Sequence, residues 1–160
     1  MARVDAWRPA AAVAIALTLS GPAHAASPFT GLGGTWSGSG HVRLDNGRSE
    51  AIRCTANYVP RSGGATMGLS LRCASPSNRI ELRASLSLNG GRVSGSWEER
   101  SFNVTGSVSG LASASSLRLS FSGGISGTML VTTAGSSQSI SVRTDGSALR
   151  GVNVSLRRSN

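Results

Sequence analysis

Ile80, Leu82, Ala84, Leu86 and Leu88 alternate with Glu81, Arg83, Ser85 and Ser87. Met67, Leu69, Leu71 and Cys73 keep the same period of two, and so do Val152, Val154 and Leu156. Side chains alternate across a strand, so this period predicts half-buried β-strands with one apolar face. No stretch after residue 25 sustains the 3.6 period of a helix. Turn residues punctuate the strands. Asn89-Gly90 is a strong hairpin signal, expected to set Leu88 against Gly91, Leu86 against Val93, Ala84 against Gly95 and Leu82 against Trp97. Asp45-Asn46-Gly47 fits a three-residue loop with glycine in the left-handed position; it opposes Gly38 to Cys54 and Trp36 to Ala56. Glu99-Arg100 as a turn opposes Trp97 to Phe102, and Gly135-Ser136 opposes Val131 to Ile140 and Met129 to Val142.

A turn at Gly63-Gly64 opposes Tyr58 to Leu69, Ala56 to Leu71 and Cys54 to Cys73. The only two cysteines then become cross-strand neighbours on the apolar face. Opposed Cβ atoms lie roughly 4.5–5.5 Å apart, within a small adjustment of disulfide geometry. The pair lacks the C-x-x-C spacing of a redox centre and the histidines of a zinc site.

Turn counting predicts about ten strands, over 34–44, 49–58, 66–74, 79–88, 92–98, 102–109, 115–121, 125–132, 137–143 and 149–158. Short connections make consecutive strands antiparallel neighbours. An open meander of that length leaves two bare edges, and closure removes them. The expected fold is therefore all-β, an antiparallel up-and-down meander closed into a barrel, with a two-sheet sandwich as the alternative. Gly34, Gly38, Gly40, Gly95, Gly106 and Gly127 fall on the apolar parity, where glycine permits sharp curvature. The room they leave would be filled by Trp36, Tyr58, Trp97, Phe102 and Phe121, or by a ligand.

The first 25 residues have a different character. Arg3 and Arg8 precede an apolar run from Ala10 to Leu19, then Gly21-Pro22 and Ala23-His24-Ala25. This is the pattern of a secretory signal peptide, too short to span a bilayer as a helix. It divides the chain into a signal peptide (1–25) and a single barrel domain (26–160). It also implies a periplasmic or secreted protein, in a space where a Cys54–Cys73 disulfide persists. The formal net charge of +9 favours anionic partners, and beyond residue 25 it is carried by scattered arginines with no lysine.

Candidate chemistry is sparse. His41 stands alone on the polar parity. Glu81 and Glu98 would oppose each other on the polar face among Arg79, Arg83 and Arg100, a solvated charge lattice rather than a glycosidase pair. No residues form a catalytic set or a metal site, no cofactor is implied, and the glycines do not precede a helix as in a phosphate loop. The aromatics share the apolar face while most arginines share the other, which is the wrong arrangement for nucleic-acid stacking.

Gly34-Thr35-Trp36 on the first strand resembles the G-x-W signature of the calycins, which include lipocalins, fatty-acid-binding proteins, avidins and small bacterial metalloprotease inhibitors. The resemblance implies a tryptophan packed at the closed end of a barrel under a basic side chain of the last strand, for which Arg158 has the matching position. It is confined to the first and last strands. Asp45-Asn46-Gly47 leaves no space for the two helices that follow the first strand in fatty-acid-binding proteins. The expected function is that of an exported, soluble binding protein holding a small apolar ligand on Trp36, Tyr58, Trp97 and Phe121. Two alternatives stand beside it. One is a surface binder of a protein or anionic glycan, including an inhibitor-like role. The other is a small outer-membrane barrel with its faces reversed.

Overall fold

The computed structural model describes residues 26–159; the expected signal peptide lies outside them. The alternating segments form ten strands: β1 (Gly34–Leu44), β2 (Ser49–Arg61), β3 (Thr66–Ala74), β4 (Arg79–Asn89), β5 (Arg92–Glu99), β6 (Val104–Ala112), β7 (Ser116–Gly123), β8 (Ser126–Ala134), β9 (Ser137–Asp145) and β10 (Leu149–Arg158). Each pairs antiparallel with its sequence neighbours, and β1 also pairs with β10, Trp36 opposite Arg158, so the sheet closes on itself. The barrel, not the sandwich, is the architecture, and closure leaves the sheet no free edge.

The sequence missed one element. Pro28–Leu32 forms a five-residue helix, α1, capped by the Ser27 hydroxyl, which accepts from the Phe29 amide. Serine before proline is a helix-start signal. Phe29 and Leu32 bury against one end of the barrel and make α1 its plug.

Three hairpins take the expected register. Gly38 faces Cys54 across the Asp45–Gly47 loop, Cys54 faces Cys73, and Val131 faces Ile140. Two are displaced. The turn after β4 is centred on Gly90-Gly91, with φ of 54° and 78°, so Leu88 faces Val93, Leu86 faces Gly95, and Trp97 faces Ala84 instead of Leu82. A type I′ turn needs positive φ at both central positions, and two glycines meet that at less steric cost than Asn-Gly. The β5–β6 connection is a four-residue loop rather than a two-residue turn, so Trp97 faces Gly106 and Phe102 rides on the loop, 61% exposed. These shifts also separate the two carboxylates expected to face each other: Glu98 lies opposite Arg83, and Glu81 opposite Arg72. Both shifts move the register by an even number of residues, so the inward face keeps its membership.

The interior has two zones. At the end plugged by α1, Phe29, Trp36, Ala56, Met67, Val93 and Leu156 are almost fully buried. The other end, where the β1–β2, β3–β4, β5–β6, β7–β8 and β9–β10 loops gather, is the mouth. Outside, exposed Ser94, Ser109, Ser120 and Thr128 align across β5–β8. Apolar side chains thus face inward and hydroxyls outward, the reverse of what a lipid-embedded barrel requires. This arrangement corrects the outer-membrane alternative.

Candidate functional site

Two aromatic side chains define the inner wall on one side. Trp97 on β5 and Phe121 on β7 meet edge to face, with ring centroids 6.0 Å apart and planes at 83°. Each has a glycine as cross-strand partner, Gly106 for Trp97 and Gly127 for Phe121. A Cβ on Gly106 would lie 2.7 Å from the indole nitrogen, and one on Gly127 would lie 2.7 Å from Phe121 Cζ. The glycines therefore clear the space in which the rings lie against the sheet, an aromatic–glycine pairing that also curves it. The Trp97 indole N–H donates to the Ser107 carbonyl at 3.2 Å, which fixes the ring's rotation.

Above this ledge, toward the mouth, the side chains leave a cavity of about 200 Å³. Leu69, Leu71, Val152 and Val154 bound it opposite the rings, and the Cys54–Cys73 disulfide forms part of the wall. Phe102, Ile125 and Leu149 ring it at the loop end. Only two polar side chains reach the lining, and the backbone occupies both. Glu99 accepts from the amides of Glu81 (2.6 Å) and Phe102 (2.7 Å), and the Thr144 hydroxyl donates to the Leu149 carbonyl. The cavity thus offers carbon and sulfur but no free hydrogen-bonding side chain. Apolar cavities of about 150 Å³ stay dry and accept benzene; this one is somewhat larger.

Trp36 and Tyr58 lie below the cavity, in its floor. Trp36 is fully buried, and its indole N–H donates to the Leu32 carbonyl at 2.8 Å. The Arg158 guanidinium stacks 4.3 Å from the ring centre and donates to the carbonyls of Gly33 and, at 2.6 Å, Gly31. This is the tryptophan–arginine seal that the G-x-W resemblance implied, with α1 bound into it. Tyr58 crosses the interior and donates to Gln138 Oε1 at 2.9 Å; burial pushes its phenol pKa up and keeps it neutral. Of the four candidate contact residues, the structure brings Trp97 and Phe121 together on the cavity and sets Trp36 and Tyr58 beneath it.

Sequence reading missed the inward-facing polar residues. Glu50 on β2 is buried, and its carboxylate accepts from the hydroxyls of Ser75 (2.8 Å) and Ser77 (2.6 Å), tying down the β3–β4 loop. Those bonds, Ser77 first and Ser75 next, hold its pKa below the ordinary glutamate value against the opposing effect of burial. Glu50, Glu99 and Thr144 do the same work: each turns inward near the mouth and fastens a loop. Their parity with Ile52, Trp97 and Val142 was the available signal.

The fold and site together define a closed, ten-stranded antiparallel barrel with an apolar interior. Several solved structures share the fold, and two of them illustrate the likeness. The first, Rv2717c from M. tuberculosis, superposes with a TM-score of 0.67 at 18% identity, over 82% of this chain and 94% of that one. The second, the S-type phycobiliprotein lyase CPES from Guillardia theta, gives 0.55 at 10% identity, over 82% and 90%. At these identities the likeness is one of fold. No protein-family profile matches the sequence, and no curated protein matches it.

Proposed function

We propose that this protein is an exported binding protein that holds a small, uncharged apolar molecule in the mouth half of its barrel, against Trp97 and Phe121. The observation that supports this reading is the cavity of about 200 Å³ whose only polar lining groups are already bonded to backbone. An anionic group placed there would lose its hydration without gaining a donor, and would face the Glu99 carboxylate. The volume suits a body of one or two rings or a short branched chain. The signal-peptide pattern and the disulfide support export. The activity in the name of the phycobiliprotein lyase is not carried over, since that likeness is of fold alone.

Tryptophan emission tests the reading. After signal removal two tryptophans remain, one on the cavity and one sealed in the floor. Naphthalene should quench emission in the wild type and in Trp36→Phe, and lose that effect in Trp97→Phe. Ala84→Phe, which fills the cavity from the strand opposite Trp97, should abolish uptake while leaving thermal stability level or raised. Equal quenching in Trp97→Phe and the wild type, or full uptake by a folded Ala84→Phe, would remove the ligand from the cavity.

A further inference from the structure

The acidic residues of the barrel are segregated along its axis. The six acidic residues of the described chain are Asp45, Glu50, Glu81, Glu98, Glu99 and Asp145. Every one lies in a mouth loop or within three residues of a mouth-side strand end. The closed end holds Arg61, Arg92, Arg118, Arg157 and Arg158 with no acid among them. The mouth half also holds nine arginines, among them Arg43, Arg48, Arg79 and Arg143, so what distinguishes the closed end is that its positive charge stands with no carboxylate beside it.

The closed end also carries an ordered outer row. Arg92 faces Leu111, Leu111 faces Arg118, and Arg118 faces Leu130, across four consecutive strands. Neighbouring strands lie about 4.8 Å apart, so the four side chains span roughly 15 Å. Arg92 and Arg118 are exposed, with no ion pair among the described residues. Leu111 is 56% exposed and Leu130 half-buried. The next row toward the mouth is the neutral, short-chained Ser94, Ser109, Ser120 and Thr128, which keeps the face open to close approach.

We propose that this row is a docking surface for an anionic phospholipid membrane, with Leu111 entering the headgroup layer and Arg92 and Arg118 gripping phosphates on either side of it. The chemistry is that of interfacial binding, where buried apolar area and basic attraction add. A peptide occupant is disfavoured: the closed barrel offers no edge for an added strand, and none of the four side chains of the row lines the apolar cavity. Guanidinium groups suit phosphate because their donors pair with it in a planar fork. Docked this way, the barrel rests on its side near the closed end and leaves the mouth free. The proposal is independent of what the cavity holds.

Co-sedimentation with vesicles of phosphatidylcholine, with and without phosphatidylglycerol, tests it. The protein should bind the anionic vesicles and ignore the neutral ones. Each arginine near an anionic surface contributes about fivefold in partitioning, so Arg92→Gln with Arg118→Gln should weaken binding by roughly 25-fold. Leu111→Ser should weaken it even at high salt, where charge is screened. Arg43→Gln with Arg150→Gln removes as much charge from the mouth end and should change binding far less. All five positions are on the surface, and far-ultraviolet circular dichroism with a thermal melt reports that each variant is folded. Equal losses from the two double variants would mean that net charge alone matters and would overturn the proposal. So would unaltered binding by Leu111→Ser, or capture by an acidic polymer such as heparin with none by vesicles.

Discussion

Gly106 has no latitude. A Cβ there would sit 1.9 Å from the Ser122 carbonyl oxygen as well as against the Trp97 indole. Neither the neighbouring backbone nor the ring can yield without opening the sheet, so Gly106→Ala should cost roughly 3 kcal/mol, read as a fall in the urea midpoint. Gly68 is the internal comparison, because a Cβ there meets nothing within 4 Å. Its replacement by alanine should stabilise the strand by about 0.5 kcal/mol, since only chain entropy changes. An equal effect at both sites would refute the packing argument. Glu50 gives the second residue-scale expectation. Its pKa in the fold is depressed, so its contribution is fully present above the unfolded-state value of about 4.3 and disappears as pH falls through the lower folded-state value. Glu50→Gln removes that dependence. The urea midpoints of wild type and variant should differ at neutral pH and converge in acid. Parallel curves would show that the Ser75 and Ser77 bonds do not favour the charged form. The parity of residues 48 to 54 was visible in the sequence. That a glutamate on the inward side would be kept charged by two serines of another loop was not, because nothing local specifies how a loop folds back.

Hairpins show where sequence reading holds and where it slips. Period-two alternation placed every strand to within a few residues and put the apolar groups on the correct side. Register depends on the turn, and turn chemistry involves both central positions. Gly63-Gly64 illustrates the tolerance. The connection between β2 and β3 is a four-residue bend, with Arg61 facing Thr66, yet its centre of symmetry is the expected one, and Cys54 still meets Cys73. Asn89-Gly90 illustrates the failure, since Gly91 competes for the second left-handed position and wins. The β2–β3 staple joins cysteines 19 residues apart. By the chain-entropy model it contributes about 3 kcal/mol. Replacing both cysteines by alanine should lower stability by about that much and also enlarge the cavity, whose wall loses two sulfurs. Intact mass before and after reduction checks the bond. Two free thiols in protein taken from an oxidising compartment would contradict it.

Across the whole molecule, the least legible feature was the division of the interior into a packed floor and an open chamber. Trp36, Tyr58, Trp97 and Phe121 share one parity, and a one-dimensional pattern ranks them equally. Their heights along the axis differ because strands tilt and stagger around a closed barrel, and that offset comes from the shear of the closed sheet as a whole. α1 then decides which end is stoppered, by bringing Phe29 and Leu32 under Trp36. Closure also legislates for the order of the chain. The first strand clasps the last, and the amide of Ser159 reaches the carbonyl of Thr35 at 2.8 Å, so the two ends of the ring are next-door neighbours. A wheel has no privileged spoke. Splicing those ends together and nicking the polymer at Gly135 instead would preserve each pairwise rung, while turning the most distant handshake in the protein into a local one.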